Sequence, residues 1–569
     1  MSDAILVFTF SPVQSYIAEA RRAADLFTGS RILVLLARAS AEAIIRAGGT
    51  MIYPASLTGD VPNKLLASVP WEQAESVAEL AKNALITKWK EIAQEALIQL
   101  EGKSPAPDAE WHEIWNRQVD RQWEIHWAAA ALENQTYPQA FDAANRALES
   151  AKRLRAFEPS EEDGVKDTLS GRRSALRNKE LSAKDYWTRI ADQVVSARLR
   201  PKGRERLDAI GAIKRFCALA NTPFPSTSTV ASADFLERIR NNSGVNPVLH
   251  TYVQRLDGLG CFRVRQDPVW PFDGDLLYQE TLTFDTLKDD YRLTNVTDAQ
   301  LLSCQSACRD VYQAAGGDQP TKYYALIVFD GDNMGKRVSA CPTVDDSRNF
   351  SQTLDLFSSR VQQMSAPGNP DQASVIYNGG DDVMAMVPLS RAIPFALKLA
   401  DAFYQCTGNS GSAGIVVAHH TYPLSAVLRT AHDAEFLAKE VPDKNAVCVQ
   451  VLKRSGEALT VCGHWADLMP VFENIVNHLK TKALSSKFAY EVEAEARTVT
   501  AIPDPQAWDA MLRRLINRHR TNQLANPASV AQELTQWAQN LENTQPAAGL
   551  HQLGQWLLLA RFIAMGGGE

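Results

Sequence analysis

The sequence has few cysteines and no two of them in a CxxC spacing. Eight cysteines are scattered over 569 residues, a usage that is typical of reduced thiols in the cytoplasm rather than of a disulfide scaffold. No apolar run is long enough to span a membrane. The apolar start, MSDAILVFTF, lacks the basic residues and the cleavage site of a signal peptide. These absences predict a cytoplasmic protein with no membrane partner.

An excess of positive charge is also missing. The net charge is −7 and the isoelectric point is about 5.9, so contact with a nucleic acid requires local basic patches or partner subunits. A single core stops growing at roughly 250–300 residues, so a chain of this length predicts about three to five domains. One basic run indicates a solvated charged face or, alternatively, a surface that contacts RNA or a partner; it comprises Arg198, Arg200, Lys202, Arg204, Arg206, Lys214 and Arg215.

The first fifty residues suggest a strand followed by a helix. Residues 4–10 form an apolar run, and Ser11, Pro12 and Gln14 fit a capping box that begins a helix. This helix extends to about residue 47, with an expected interruption at 28–30.

Short strands and a long helical region come next. Strand-like pieces cover 50–54 and 64–69, and residues 70–220 are predominantly helical in pattern. The tryptophans of this region are interpreted as core residues rather than as a cofactor site; they are Trp111, Trp115, Trp123 and Trp127.

A buried strand ending in an acid begins the most informative part of the chain. Residues 323–329, YYALIVF, are continuously apolar and lead into Asp330 and Gly331. A carboxylate at the end of a buried strand is costly unless it is paired or binds a metal. The adjacent glycine lets a backbone or a phosphate approach closely.

A hairpin with two acids at its tip follows some forty residues later. The β-rich runs 374–377 and 383–387 flank Asn378-Gly379-Gly380-Asp381-Asp382. If this hairpin pairs with the 323–329 strand, Asp381 and Asp382 converge with Asp330. Adjacent carboxylates repel each other and favour a divalent cation, so we predict a site for two Mg²⁺ or Mn²⁺ ions, with Asp330, Asp381 and Asp382 as the catalytic residues and Gly331 beside them in the metal site.

The pattern continues beyond the hairpin. Residues 412–418 read as a strand, a helix runs from about 424 to 440, and 446–451 read as another strand. Lys439, near the helix end, could reach a triphosphate; a cation favoured by the helix dipole explains it equally well.

The order of these elements resembles the palm of nucleotide cyclases and polymerases, and more closely the large "CRISPR polymerase" subunit of type III-B (Cmr) effector complexes. The segments that carry the resemblance span residues 5 to 456: FSPVQSYI at 10–17, residues 25–30, PNK at 62–64, FPST at 224–227, DGDNMGK at 330–336, NGGDD at 378–382, HH at 419–420, YPL at 422–424 and LKRSG at 452–456.

The resemblance implies an α+β fold with two ferredoxin-like, cyclase-like palm domains and additional helical domains. The implied division is a first palm without catalytic Asp over 1–150, a helical and irregular domain over 151–315, the GGDD palm over 316–460 and a helical domain over 461–569. In the first palm, Phe10 and Ser11 are expected where the second has Phe329 and Asp330.

The resemblance also implies a function. Target RNA, recognised through CRISPR RNA and the other Cmr-type subunits, a small helical subunit among them, would switch on synthesis of cyclic oligoadenylate from ATP in antiviral defence. ATP would bind between the palms, and the residues expected near it are Ser11, Gly331, Asp332, Asn333, Gly379, Gly380 and Lys439. Capping alone would also explain Ser11.

The sequence departs from the family pattern in two places. It starts at the first palm strand, and its only His-Asp pair, His432-Asp433, lies in the palm helix, so we expect no HD nuclease. The places that match the family's two CxxC pairs read DTLS at 167–170 and DAIG at 208–211, so we expect no structural zinc and ordinary packing in that region.

Two other functions remain open at this stage. The chain could be a scaffold whose acidic hairpin is a relic, although a relic has no reason to keep three costly acids together. The same palm could instead join AMP to another small molecule, such as S-adenosylmethionine.

Overall fold

The computed structural model describes residues 3–153, 162–194, 199–366, 373–453, 458–468, 471–499, 504–544 and 548–567. Mixed helix and sheet, with two separate sheets, confirm the α+β class. The described chain has no helix that is both long enough and apolar enough to cross a bilayer.

The first sheet lies in the N-terminal part of the chain. It has four antiparallel strands in the order β2-β3-β1-β4. The elements here are β1 (Asp3–Ser11), α1 (Gln14–Ala18), α2 (Ala23–Arg46), β2 (Thr50–Tyr53), β3 (Lys64–Pro70), α3 (Ala74–Glu101), α4 (Ala109–Asp120), β4 (Glu124–Ala131) and α5 (Tyr137–Arg153).

A helical region with irregular connections follows. Part of it has a core of its own, in which Trp270, Tyr252 and Phe235 are buried. Its helices are α6 (Ala183–Asp192), α7 (Ala209–Phe216), α8 (Thr227–Arg240), α9 (Asn246–Leu259), α10 (Phe284–Asp290) and α11 (Asp298–Ala314).

The second sheet has six strands in the order β10-β9-β8-β5-β7-β6, all antiparallel except the β8–β9 pair. Its elements are β5 (Tyr323–Gly331), α12 (Met334–Ser339), α13 (Val344–Met364), β6 (Ser374–Gly379), β7 (Asp382–Pro388), α14 (Ala392–Thr407), β8 (Gly411–His419), α15 (Leu424–Glu440), β9 (Ala446–Leu452) and β10 (Leu459–His464).

Helices complete the chain. Trp508, Trp537 and Trp556 are buried among them, as their spacing predicts for a helical core. The helices are α16 (Trp465–Leu468), α17 (Val471–Lys480), α18 (Lys487–Val499), α19 (Pro505–His519), α20 (Pro527–Thr544) and α21 (Gly549–Ala564). The domain boundaries given above remain predictions.

The two palms repeat one topology, because β2-β3-β1-β4 corresponds strand for strand to β6-β7-β5-β8. In the first palm Asp3 pairs with Pro70, the last residue of β3; in the second, Tyr324 pairs with Pro388, the last residue of β7. Counting along the strands from these pairs aligns Thr9 with Asp330, whereas counting from the first residues of β4 and β8 aligns Phe10 with it. Both residues are uncharged, so the first palm has no acid at this position, and the equivalence of Ser11 with Asp330 remains a prediction.

The palms pack against each other reciprocally. Helix α2 of the first palm contacts β6 of the second, and α13 of the second contacts β2 of the first. This exchange places the end of β2 beside the β6–β7 hairpin. The first palm therefore supplies part of the surroundings of the acidic hairpin tip.

Three local predictions differ from the structure. Helix α1 begins at Gln14 with no side-chain cap, and α2 continues through residues 28–30 without a break. Residues 124–131, for which the sequence predicts a helix, form β4 because they pair with residues 4–11 of β1. Strand β10 was not predicted.

The basic run is mostly paired. Arg215 is buried in a bidentate contact with Asp25, at 2.5–2.6 Å. Lys214 is buried above the ring of Tyr16. The more exposed members form ion pairs with acids of α10; Lys202 and Arg204 both pair with Asp289. Arg198 lies outside the described residues. Lys214 and Arg215 are therefore part of neither a solvated charged face nor an open surface that could contact RNA.

Aspartates form turns at 167–170 and 208–211, the two places predicted to match the CxxC pairs. Asp167 accepts hydrogen bonds from the N–H groups of Leu169 and Ser170, at 2.6–2.7 Å. Asp208 accepts from the N–H of Gly211 at 2.6 Å and contacts Arg173. Side-chain-capped turns and an ion pair, as well as apolar packing, therefore organise this region.

Candidate functional site

The acidic site is built by β5 and the β6–β7 hairpin. Asp330 is the next-to-last residue of β5, one position beyond the Phe329–Val383 pair that joins β5 to β7. Gly379 pairs with Asp382, so Gly380 and Asp381 form a two-residue turn. Gly380 has φ +74°, a left-handed conformation that suits glycine. The hairpin thus presents both of its acids beside the end of β5, as the sequence predicts.

The three carboxyl groups influence one another strongly. Burial, followed by the charge of Asp330, raises the pKa of Asp381 to about 7. The pKa of Asp382 rises well above its usual range, first because the surrounding protein displaces water and then through a hydrogen bond with Asp330. Asp382 nevertheless retains exposed surface, so the site is open to a ligand. Two carboxyl groups can share a hydrogen bond only if one is protonated, and a divalent cation would replace that proton.

Lys439 and Glu435 of α15 complete the charge arrangement. The Lys439 ammonium contacts Asp330 Oδ2 and lies 2.6 Å from Glu435 Oε1. Burial lowers the pKa of Lys439, but Asp330 and Glu435 outweigh burial and raise it. Burial by itself would raise the pKa of Glu435. The contacts with His432 and Lys439 outweigh burial, so the pKa of Glu435 is lowered. A full positive charge therefore lies against Asp330.

The donor chemistry of the site fits a hard divalent cation, because carboxylate oxygens are the preferred ligands of Mg²⁺ and Mn²⁺. Within the described ranges, however, no group of three His, Cys, Asp or Glu side chains is already arranged around a metal position. The contact of Lys439 with Asp330 directs one carboxylate oxygen at an ammonium.

Asp332 and Asn333 are held apart from the three acids. The Asp332 carboxylate accepts hydrogen bonds from Ser410 and Ser412 hydroxyls at 2.8–2.9 Å and from the Asn445 N–H at 3.0 Å. These bonds join the end of β5 to the starts of β8 and β9. Asn333 accepts a bond from Lys444 at 3.2 Å.

The glycines allow close packing at the site. A Cβ on Gly331 would lie 2.5 Å from the Phe403 ring and 3.1 Å from Asp381 Cβ, and one on Gly379 would overlap the Tyr377 hydroxyl. Ser11 lies on the other sheet, where it pairs with Glu124 of β4.

Two residues at the site were missed by the sequence analysis. Tyr53, at the end of β2 in the first palm, hydrogen-bonds Asp381 and lowers its pKa relative to burial alone. A Cβ on Gly380 would lie 2.3 Å from the Tyr53 hydroxyl. Glu435 could have been suspected because it lies four residues before Lys439 on one helix. Tyr53 gave no such signal, since only the packing of the palms brings it here.

The chain contains two palms, each built on four antiparallel strands of the same topology. The second palm carries acids on β5 and on the β6–β7 hairpin. These features define a palm-domain protein. Residues 323–448 match the family model for the second palm domain of Cas10/Cmr2, and residues 5–58 match that for the N-terminal part of the CRISPR-associated protein Cmr2. These two regions of the chain are therefore similar to domains of the Cas10/Cmr2 family.

Individual proteins of this kind show similarity over part of the chain. The chain is 29% identical over 286 residues to the CRISPR system Cmr subunit Cmr2 of Pyrococcus furiosus, covering 43% of this chain and 32% of that protein. It is 36% identical over 85 residues to the single-strand-specific deoxyribonuclease Cas10/Csm1 (subtype III-A) of Mycobacterium tuberculosis, covering 15% and 10%. The alignments thus span a third or less of these relatives.

A solved structure shares the fold. A chain in the cryo-EM structure of the apo type III-B Cmr-beta complex superposes with a TM-score of 0.64 at 12% identity, covering 91% of this chain and 77% of that one. At this identity the similarity concerns the fold alone.

Proposed function

We propose that this chain is the large subunit of a type III-B CRISPR RNA-guided complex and that its second palm synthesises cyclic oligoadenylate from ATP when target RNA binds. The observation that carries the proposal is the meeting of Asp330, Asp381 and Asp382 where the end of β5 lies beside the hairpin tip, with an ammonium against them. The similarity of residues 323–448 to the second palm domain of Cas10/Cmr2 supports it. CRISPR RNA, target RNA and the other Cmr-type subunits, including a small helical one, are the proposed partners.

Each residue has a proposed role. Asp330, Asp381 and Asp382 would hold two Mg²⁺ or Mn²⁺ ions, which supply Lewis-acid activation of the attacking hydroxyl and neutralise the pyrophosphate leaving group. Lys439 would leave Asp330 and contact the triphosphate.

The acids can be tested in the assembled complex. With ATP, Mg²⁺ and target RNA, Asp381→Asn and Asp382→Asn should each reduce product formation by roughly 100-fold, because each removes an anionic ligand. Asp401→Asn, an exposed acid on α14, is the matched control and should retain activity. Equal product from all variants, or none from the unaltered complex, would favour a scaffold.

Mass spectrometry of the product identifies the acceptor. Cyclic oligoadenylate supports the proposal, whereas AMP joined to another small molecule, such as S-adenosylmethionine added to the assay, would keep the palm chemistry and replace the proposed product. We expect no HD-type DNA cleavage by these residues: His432 lies 3.7 Å from Glu435, and Asp433 is exposed on α15.

A further inference from the structure

Two cysteines face each other across adjacent strands of the second palm. Cys448 of β9 pairs directly with Cys462 of β10. Three positions further along the same ladder, residues 465 and 445 form a hydrogen-bonded pair, because the Trp465 N–H donates to the Asn445 carbonyl at 3.2 Å. Hydrogen-bonded and non-hydrogen-bonded pairs alternate along an antiparallel ladder, so Cys448 and Cys462 form a non-hydrogen-bonded pair. Their Cα atoms are then about 4.5 Å apart, within the range that a disulfide spans.

The two thiols are already in contact but differ in exposure. A hydrogen bond with Cys462, followed by burial, raises the pKa of the Cys448 thiol. Cys448 is completely buried, whereas Cys462 is half-buried on β10, the edge strand of the sheet. Cys462 is therefore the thiol that a reagent reaches first, and Cys448 is the thiol that can resolve the adduct.

The pair lies beneath the helix that carries Lys439. Cys448 packs with Ala434 and Ala438 of α15, and Cys462 packs against this group. Ala434 precedes Glu435 in the chain and Ala438 precedes Lys439. The thiols therefore support the turn of α15 whose outer face contacts Asp330.

We propose that Cys448 and Cys462 are a dithiol site that low-molecular-weight disulfides oxidise to an intramolecular disulfide. The Cys462 thiolate attacks one sulfur of the reagent and releases its other half as a thiolate. The Cys448 thiol then loses its proton to water and attacks Cys462 Sγ, expelling the second half. Both electrons go to the reagent, which leaves as two thiols.

The covalent claim is tested on the full chain without reference to activity. After incubation with oxidised glutathione and removal of the reagent, titration in denaturant should find two thiols fewer than the eight of the reduced chain. Peptide mapping should recover residues 448 and 462 joined, and dithiothreitol should reverse the bond. Cys462→Ser should lose the cross-link. Cys304→Ser, which alters a buried cysteine of α11, should retain it.

Several results would overturn this claim. Eight remaining thiols would do so, as would a stable glutathione adduct on Cys462, or a cross-link confined to Cys261, Cys304 or Cys308. Cys462→Ser alters an edge strand, so the folding of the variant has to be checked. Its circular dichroism spectrum and melting temperature should match those of the reduced, unaltered chain. If they do not, Cys462→Ala takes its place, and a cross-link that persists in either variant contradicts the proposal.

A second measurement links the bond to α15, and this part rests on the proposed function. Joining the sulfurs brings them closer than van der Waals contact beneath Ala434 and Ala438, which should alter the position of Lys439 against Asp330. Oxidation should reduce nucleotide synthesis by the assembled complex at least about threefold, with no change in the Cys462→Ser complex. An unchanged rate despite a mapped disulfide would refute the link, whereas inactivity of the reduced complex would count against the proposed function only.

Discussion

Tyr53 connects the two palms at the level of a single hydroxyl. Its phenol comes from β2, yet its partner is Asp381 at the tip of the hairpin in the other palm. The same hydroxyl occupies the space into which a Cβ of residue 380 would project. The first palm, although it lacks acids of its own at this position, thereby fixes the orientation of an acid in the second.

Tyr53→Phe tests this positioning role. The variant keeps the ring and removes one hydrogen bond to Asp381, so the pKa of that carboxyl should rise above its present value of about 7. The pH–rate profile for nucleotide synthesis should move to higher pH, with about a tenfold loss of rate at pH 7. Tyr404→Phe, at an exposed position on α14, is the control. A uniform loss of rate with an unshifted profile would indicate a structural role only.

The acids should also make stability depend on pH when divalent metal is absent. The pKa of Asp381 is raised in the folded state to about 7, whereas the unfolded value lies near 4. The group therefore contributes its full stability below about pH 4, and this contribution is lost as the pH rises through 7.

Melting temperatures in a chelator should reveal this loss. Between pH 5 and pH 8 the unaltered chain should lose roughly 2–5 °C relative to Asp381→Asn, which retains Asp330 and Asp382 but lacks the Asp381 carboxyl. Added Mg²⁺ at pH 8 should restore the unaltered chain and have little effect on the variant. Parallel curves for the two proteins would contradict the interpretation.

The β6–β7 hairpin shows, at the scale of an element, why glycine occupies the turn. Residue 380 needs a left-handed backbone and lies against Tyr53. Gly380→Ala should cost about 1–2 kcal/mol in the free energy of unfolding from the backbone alone, and it should also displace the phenol and reduce synthesis. Gly335→Ala is the control, since a Cβ there meets no atom within 4 Å. Equal behaviour of the two variants in thermal unfolding and activity would refute this account.

The elements also show how far the sequence alone reaches. Strand β5 and the β6–β7 hairpin were predicted because their signals are local: an apolar run that ends in Asp330, and a glycine turn between two β-rich runs. The clustering of Asp330, Asp381 and Asp382 followed from those elements.

Other elements depend on contacts between distant residues. Residues 124–131 are rich in alanine, and only pairing with β1 makes them a strand. Gly29 was expected to interrupt α2, but a Cβ there would lie 3.3 Å from the Lys214 side chain, so the glycine allows a close contact instead of ending the helix. Tyr53 was missed for the same reason. Binding of ATP near Asp332 is still only a prediction. The hydrogen bonds of Asp332 to Ser410, Ser412 and Asn445 give this residue a structural role as well.

At the scale of the whole molecule, the helical region is joined to the first palm by buried charges. Arg215 of α7 contacts Asp25 of α2 and also lies 3.2 Å from Glu205. The exposed fractions of the three residues are 4%, 3% and 1%. Burial raises the pKa of Glu205, but Arg215 and Arg22 outweigh it and lower that pKa to about 2. This acid therefore stabilises the folded chain above about pH 4.5, and the stabilisation is lost as the pH falls toward 2.

Arg215→Met should therefore destabilise the chain strongly and in a pH-dependent way. Removing the guanidinium leaves two buried carboxylates without their main partner, at a cost of about 3–5 kcal/mol, and should lower the melting temperature of the first palm at pH 7 by roughly 5–15 °C. Arg204→Met removes a half-exposed member of the same basic run, paired with Asp289, and should change the melting temperature by less than about 2 °C. Near pH 4 the penalty of Arg215→Met should shrink, because Glu205, once it has lost its main partner, can then take up a proton. A penalty that is the same at both pH values would mean that Arg215 acts through packing rather than through charge.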